Sequence, residues 1–387
     1  MFRIGKEEID AVTRVIESRK LFKINDGNQE VFNFENELRE KFDVENALLM
    51  TSGKAALISA LTGMGIGPGD EVIVPGYTYI ATAIAVTATG AIPVIAEIDE
   101  TLAIDPIDVE KKITPRTKAI IPVHMQGMPC NMDALMEISK KYGVKILEDA
   151  CQADGGSYKG KRLGTIGDAG ALSFNYFKII TAGEGGALLT NDKQIYQRAY
   201  IYHDSSAVAF FGNQLDGNEE EQFCGTEYRV GEITAAILRE QLKRLDGILA
   251  DLRRIKSTLK DALKDDFEFV PSNDEKGDCS LVLALKFDSE EKARAFKTKF
   301  GSGELPIDTG KHVYSNWTAI MKKRGAFNPL IDPFKMEANK DMVPDYTEDM
   351  CPKTLDILSR TVYIYLNPDR TDAEIQEIIE KCKNAKP

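Results

Sequence analysis

The chain has 387 residues, 43% of them hydrophobic, and a formal net charge of −12 at pH 7. That length exceeds one small core and suits a large domain with a smaller one. The acidic balance argues against nucleic acid and anionic membrane as partners, since both require a basic face.

The six cysteines, at positions 130, 151, 224, 279, 351 and 382, show neither metal-ligand pairs nor a short disulfide framework. No metal site is therefore expected, and reduced thiols in a cytoplasm are. The N-terminal stretch carries Glu7, Glu8 and Asp10 without a long apolar core, and no run is long enough to span a membrane.

In chain order, Ile9, Val12, Val15 and Ile16 fall near helical spacing over residues 7–18, and Phe34, Leu38 and Phe42 step by four over 33–42. These are two amphipathic helices, joined by a polar stretch whose Asn25-Asp26-Gly27 is a turn signal. The apolar run 48–50 leads into Thr51-Ser52-Gly53 and an alanine-rich helical stretch to Leu61. A strand, a turn of small residues and a helix start make an anion site, because first-turn N–H groups and the helix dipole both favour phosphate. Ser52 also reads as a plain N-cap.

Gly67-Pro68-Gly69-Asp70 turns into a strand over 71–74, and Pro75 to Tyr79 opens the next helix. Further strands are expected at 92–96, 119–124 and 144–147, with helical stretches 108–112 and 132–142 between them. Strands alternating with helices imply right-handed crossovers and a mostly parallel sheet covered on both faces. His124 ends one strand and reads either as a satisfied structural histidine or as a group beside a ligand.

Residues 145–191 are the most informative. The strand at 144–147 runs into Glu148 and Asp149, which places Asp149 at a carboxyl edge, where open α/β sheets hold ligands. Gln152 follows three residues on. A strand over 169–174 carries Ser173 and leads to Lys178, then Gly183-Glu184-Gly185-Gly186 and a strand over 187–190. An acid at one strand end and a lysine past another suit a cofactor whose ring nitrogen is kept protonated while its carbonyl is held as a lysine Schiff base. A lysine alone is usually a solvated charge; the ordered set is what carries the reading.

Beyond 191 a helix leads to Tyr202-His203-Asp204, and 205–222, with Glu219, Glu220 and Glu221, reads as a long loop. Thr226-Glu227-Tyr228-Arg229 precedes a helix over 232–250. From about Arg253, strands at 279–287 and 361–365 and helices at 289–300 and 372–383 form a small α+β unit. The expected division is a large domain over 1–250 and a small one over 251–387.

Asp149, Gln152, the Ser173-to-Lys178 spacing and Gly183-Glu184-Gly185-Gly186 together resemble the DegT-type (DegT/DnrJ/StrS) sugar aminotransferases, which depend on pyridoxal 5'-phosphate (PLP) and share the fold of type I PLP enzymes. The resemblance implies an α/β fold with a mostly parallel seven-stranded sheet in the large domain. It implies catalytic roles for Lys178 and Asp149, and cofactor contacts from Ser52, Gly53, Lys54, Tyr79, Gln152, Ser173 and Glu227. Tyr79 would stack on the pyridine ring, although an isolated tyrosine also reads as packing.

Two positions depart from the family pattern. Lys54 stands where members carry threonine, and Glu227 where they carry an asparagine that reaches the phosphate across a dimer interface. A carboxylate facing a phosphate is repulsive, so Lys54 and Glu227 are read as a compensating pair, or Glu227 as a solvent-facing residue. His312, Tyr314 and Trp317 fall in the stretch that lines the substrate pocket in the family.

The implied activity is amino transfer from glutamate or glutamine to a keto-sugar by a ping-pong route, in a homodimer with a shared site. Lysine rather than histidine at 178 separates it from the family's sugar 3-dehydratases. Residues 96–102, 113–118 and 148–167 look similar to members that make 8-amino-3,8-dideoxy-manno-octulosonate, whereas 177–186 also looks like 3-amino-5-hydroxybenzoate synthases. The acceptor is thus expected to be an 8-oxo-octulosonate or a nucleotide-linked ketohexose, with aminohydroxybenzoate-synthase-like or inosose chemistry as the alternative. A PLP-binding regulator without turnover is the reading from another class.

Overall fold

The computed structural model describes residues 3–23, 29–205, 215 and 218–387. The turn expected at Asn25-Asp26-Gly27 and most of the loop expected over 205–222 lie outside the described residues. Helices α1 (Lys6–Ser18) and α2 (Glu30–Phe42) come first and pack on the long helix described below.

Then β1 (Asn46–Met50), α3 (Gly53–Gly63), β2 (Glu71–Pro75), α4 (Ala81–Ala88), β3 (Ile92–Ala96), α5 (Pro106–Lys112), β4 (Thr117–Ile120), α6 (Met132–Tyr142) and β5 (Lys145–Asp149) alternate along the chain. A small hairpin, β6 (Ser157–Tyr158) and β7 (Lys161–Arg162), precedes β8 (Ala169–Ser173), β9 (Gly186–Thr190) and α7 (Lys193–His203).

Seven of these strands form one sheet in the order β1-β9-β8-β5-β4-β2-β3. β3, β2, β4, β5 and β8 pair in parallel, while β9 pairs antiparallel with both β8 and β1, so β9 alone runs against the rest. β2, β8 and β9 are buried along their whole length, as expected for strands covered on both faces. The mostly parallel seven-stranded sheet is the one the sequence implies. The strand expected over 119–124 ends at Ile120, because Pro122 has no N–H for the ladder; beyond it Val123 still bridges Asp149.

The helix expected to stop at 250 continues. α8 (Glu232–Leu263) keeps Leu245, Leu249, Leu252, Ile255, Leu259 and Leu263 buried at helical spacing, so the chain passes residue 250 inside it. A second sheet follows, β10 (Glu268–Phe269), β11 (Val282–Lys286) and β12 (Thr361–Tyr365), with α9 (Glu290–Phe300), α10 (Thr318–Met321), α11 (Pro352–Ser359) and α12 (Asp372–Ala385). α11 has no counterpart in the sequence reading. Pro352 opens it at a position where a missing N–H costs nothing.

Because β1, β2, β4, β5 and β8 run the same way, their carboxyl ends share one edge. The antiparallel β9 brings its first residue, Gly186, to that same edge opposite Met50 and Ser173. Every residue considered next stands on that edge or on the turns above it.

Candidate active site

Glu148 and Asp149 are neighbours on β5 and point to opposite faces. Glu148 faces inward. Its carboxylate accepts from the backbone N–H groups of Gly164 (2.9 Å), Ile166 (2.6 Å) and Gly167 (2.8 Å) and from His124 Nε2 (3.0 Å). His124 Nδ1 in turn accepts from the Cys130 N–H at 3.1 Å, so the proton lies on Nε2. That settles His124 as a structural group; it ties β4's extension to the loop beneath β5.

Asp149 is the acid that remains for chemistry. Its Oδ2 accepts from Thr82 Oγ1 at 2.7 Å and its Oδ1 from the Cys151 N–H at 3.2 Å, while 5% of the residue stays accessible. Thr82 sits on α4 and shares a 2.8 Å hydrogen bond with Thr78, which fixes the donor. Sequence reasoning missed Thr82, since the only signal was a threonine three residues after Tyr79 in a helix start. Burial and the neighbouring Asp149 carboxylate push the Cys151 thiol well up, so it stays protonated beside the acid.

Gln152 accepts from the Gln126 backbone N–H at 3.1 Å through Oε1. A backbone donor fixes the amide orientation, and the Gln152 NH₂ group is left to donate to a ligand oxygen.

Across the edge, α3 begins against β8 and β9. A Cβ on Gly53 would stand 2.6 Å from Cys151 Sγ and 2.9 Å from Ser173 Cβ, and one on Gly186 would overlap the Ser52 backbone. Only glycine permits this approach. It brings the Ser52–Gly53 turn, the first N–H groups of α3 and the Ser173 side chain into one cradle. Ser52 caps α3, its Oγ accepting from Ala55 N at 3.1 Å. A helix N-terminus with two hydroxyls beside it suits a phosphate.

Lys178 stands on the turn after β8, where its N–H donates to Asn175 O at 3.0 Å and Thr181 Oγ1 closes the turn on Phe174 O. Its ammonium is half-buried and has no ion-pair partner among the described residues. A positive charge without a counter-ion, on the turn after the strand that neighbours β5, is what an imine-forming lysine needs. Asp154, which the sequence reading passed over, lies in the turn after β5. Both its carboxyl oxygens are buried without a hydrogen-bond partner, and burial pushes its carboxyl well up despite the nearby Lys178 ammonium.

Tyr79 is 41% exposed, with its ring centroid 5.6 Å from that of His312 and the Lys311 ammonium 5.1 Å away. Burial lowers the His312 imidazole; the Thr309 backbone opposes it, the Lys311 and Lys178 ammonium groups add smaller lowering effects, and Glu304 a small raising one. His312 therefore belongs to the mouth of the site. Tyr314 and Trp317 do not. Both are fully buried, with Tyr314 Oη donating to Glu348 O (2.7 Å) and Trp317 Nε1 to Lys311 O (3.0 Å). Their polar atoms are spent on backbone, so they brace the turn instead of lining a pocket.

Glu227 lies beside β1, since the Tyr228 carbonyl accepts from Thr51 N at 3.0 Å. Its carboxylate is gripped by Arg229 at 2.6 and 2.8 Å, and Arg229 also holds Asp204 at 2.8 Å. Within one chain the counter-ion of Glu227 is thus Arg229, and Lys54 forms no ion pair with it.

The donor set fits PLP: an acid for the ring nitrogen, an amide, a phosphate cradle and an unpaired amine. Residues 3–315 match the DegT/DnrJ/EryC1/StrS aminotransferase family. The spore coat polysaccharide biosynthesis protein SpsC of Bacillus subtilis is 33% identical over 393 residues, covering 98% of this chain and 95% of that protein. The dTDP-3-amino-3,6-dideoxy-alpha-D-galactopyranose transaminase of Aneurinibacillus thermoaerophilus is 35% identical over 322 residues, 81% of this chain and 85% of that one.

Among solved structures, 3-amino-5-hydroxybenzoic acid synthase superposes with a TM-score of 0.80 at 28% identity, covering 100% of this chain and 97% of that one. An aminotransferase from Psychrobacter cryohalolentis gives 0.81 at 28% identity, over 98% and 96%. The chain belongs to the DegT/DnrJ/EryC1/StrS aminotransferase family and is a PLP-dependent aminotransferase.

Proposed function

We propose that this enzyme moves an amino group from glutamate or glutamine to a keto-sugar, an 8-oxo-octulosonate or a nucleotide-linked ketohexose, in two half-reactions that share one site. The observation that supports the reading most is Asp149, braced by Thr82 at the carboxyl end of β5, with Lys178 on the turn after the neighbouring strand β8. PLP, when bound, supplies an electron-poor ring on which an α-proton becomes acidic.

The chain's residues would do the rest. Asp149 keeps a proton on the ring nitrogen, and the Gln152 NH₂ group holds an oxygen beside the reacting carbonyl. Ser52, Gly53, Lys54 and Ser173 receive the phosphate, and Tyr79 offers a flat face to the ring. Lys178, once free, accepts the donor's proton and returns it at the neighbouring carbon. Glu227 would face the phosphate of a neighbouring subunit in a homodimer. The exposed aromatic pair Tyr176 (60%) and Phe177 (77%) beside Lys178 supports such an interface. The proposed setting is the cytoplasm, in keeping with six free cysteines.

The test is direct. Glutamate and glutamine are added separately to the purified PLP-loaded protein, and the visible band of the bound cofactor is followed. A panel of keto-sugars is then offered, with an inosose and an aminohydroxybenzoate precursor included. Loss of the band with a donor and its return with a keto-sugar is the expected result. A band indifferent to both donors would leave a PLP-binding regulator as the reading. Return with the precursor alone would favour the synthase-like alternative.

A further inference from the structure

The geometry points to Lys311 as a specificity-determining residue, one that holds an anionic group of the amino acceptor (a carboxylate or a phosphate) at the mouth of the site. The inference rests on the amino-transfer reading above and names the acceptor's charge.

Lys311 is held in place far more firmly than an exposed lysine requires. Its carbonyl accepts from Trp317 Nε1 (3.0 Å) and from Ile80 N (3.0 Å). On either side, Gly310 O accepts from Asn316 Nδ2 (3.1 Å) and His312 O from Thr78 N (2.9 Å), and Val313 bridges Tyr77. The turn, whose Gly310 takes the left-handed φ of +59°, is therefore stitched to the segment that carries Tyr79 and leads to Thr82. Trp317 and Tyr314 are buried to support it. What these contacts fix in space is the root of one ammonium group.

That ammonium has no carboxylate partner among the described residues and rests over the Tyr79 ring at 5.1 Å. The nearby acids form no ion pair with it, although Glu304 keeps its charge beside His312. Glu304 takes the Tyr365 hydroxyl at 2.6 Å, and Asp308 is shared by Arg294 (3.1 Å) and Lys297 (3.2 Å). In a chain of net charge −12, the mouth thus keeps two free ammonium groups, Lys178 and Lys311, on either side of an uncharged His312.

Such a cleft concentrates anions locally although the protein as a whole repels them. A cation over an exposed ring is weakly held and can leave it for a carboxylate or phosphate. Lys178 is committed to the cofactor, so the charge that remains for the acceptor is Lys311. The free Nδ1 of His312, buried without a partner, is next to it and can add a hydrogen bond but no charge.

The experiment uses the full-length, cofactor-loaded protein and Lys311→Met and Lys311→Arg. Each half-reaction is measured separately, with glutamate as donor and three acceptors: a keto-sugar acid, a nucleotide-diphosphate keto-sugar and a neutral keto-cyclitol. Inorganic diphosphate and malonate are tested as competitors. Lys311→Met is expected to raise KM for one charged acceptor, and the Ki of the matching competitor, by about tenfold. Its kcat, the cofactor band and KM for glutamate should stay within about twofold, and Lys311→Arg should recover most of the loss.

Which acceptor suffers tells carboxylate from phosphate. Added salt should erode the wild-type preference and leave Lys311→Met unmoved. Equal KM and Ki values in wild type and Lys311→Met overturn the inference, as does an equal loss on the neutral acceptor or a loss confined to glutamate. A wild-type band that glutamate does not alter sinks the amino-transfer reading instead, and the two failures are told apart by that control.

Discussion

Thr82 Oγ1 donates to Asp149 Oδ2 at 2.7 Å, joining the start of α4 to the carboxyl end of β5. With the Cys151 N–H on the other oxygen at 3.2 Å, the bond fixes the orientation of the carboxylate, whose remaining lone pairs can take a ring nitrogen proton. Removing it with Thr82→Val should cost about 1.5–3 kcal/mol in the interaction, since the acceptor is charged. Because the valine is near-isosteric, the fold should survive. The expected result is a roughly 10-fold or greater fall in kcat, with the cofactor still bound. Unchanged kcat with a stoichiometric cofactor band would show that Asp149 needs no such brace.

The two adjacent acids of β5 should behave oppositely. Glu148 accepts four donors in a fully buried place, so Glu148→Gln turns a hydrogen-donating group towards donors and should destabilise the fold by about 3 kcal/mol. Whatever folds should keep its cofactor band. Asp149→Asn should melt within a few degrees of wild type yet lose amino transfer by about 10²-fold or more. Urea melts and the donor half-reaction, run on both variants, separate the roles; a stable Glu148→Gln protein is the contrary outcome.

Asp154 bears on stability against pH. Burial holds its folded-state pKa above the unfolded value, against the pull of Lys178 and of the Ser173 backbone. Between the ordinary carboxylate range and the raised folded value, the folded chain holds a proton that the unfolded chain has lost. Stability contributed by this group therefore falls as pH rises through that window. Asp154→Asn, which cannot ionise, should flatten the decline, and melting curves from pH 4 to 8 for both proteins should converge at the acid end. Parallel curves would mean that Asp154 ionises normally.

Lys54 and Glu227 are open to a double-mutant cycle on cofactor retention. If they compensated one another at the phosphate, Lys54→Thr and Glu227→Gln would each weaken retention and the double variant would restore it. Arg229 already matches Glu227 within one chain, at 2.6 and 2.8 Å. The expected outcome is accordingly additive losses. Recovery in the double variant would establish a charge pair formed across subunits.

The sequence by itself determined the sheet and the order of the site. Alternating strands and helices with short connections admit few topologies, and a parallel strand end places its next residue at the ligand edge whatever the side chain. Asp149 and Lys178 were therefore legible as candidates from position along the chain, while Gln152 and Ser173 became candidates only through the family resemblance. Gly53 and Gly186 were legible as glycines, but the Cys151 and Ser173 atoms that require them were not.

Tertiary structure alone decided direction and partnership. One-dimensional spacing cannot tell which of Glu148 and Asp149 faces a loop of backbone donors, nor that Thr82 is the one that reaches the acid. It offered His312, Tyr314 and Trp317 as equals, and only packing separated the half-exposed imidazole from two side chains whose polar atoms the backbone takes. It proposed Lys54 and Glu227 as a pair formed between subunits, and could not show that within one chain Arg229 grips Glu227. Which charges stay unpaired, as Lys178 and Lys311 do, depends on contacts between residues more than a hundred positions apart, because electrostatic pairing follows distance in space and not along the chain.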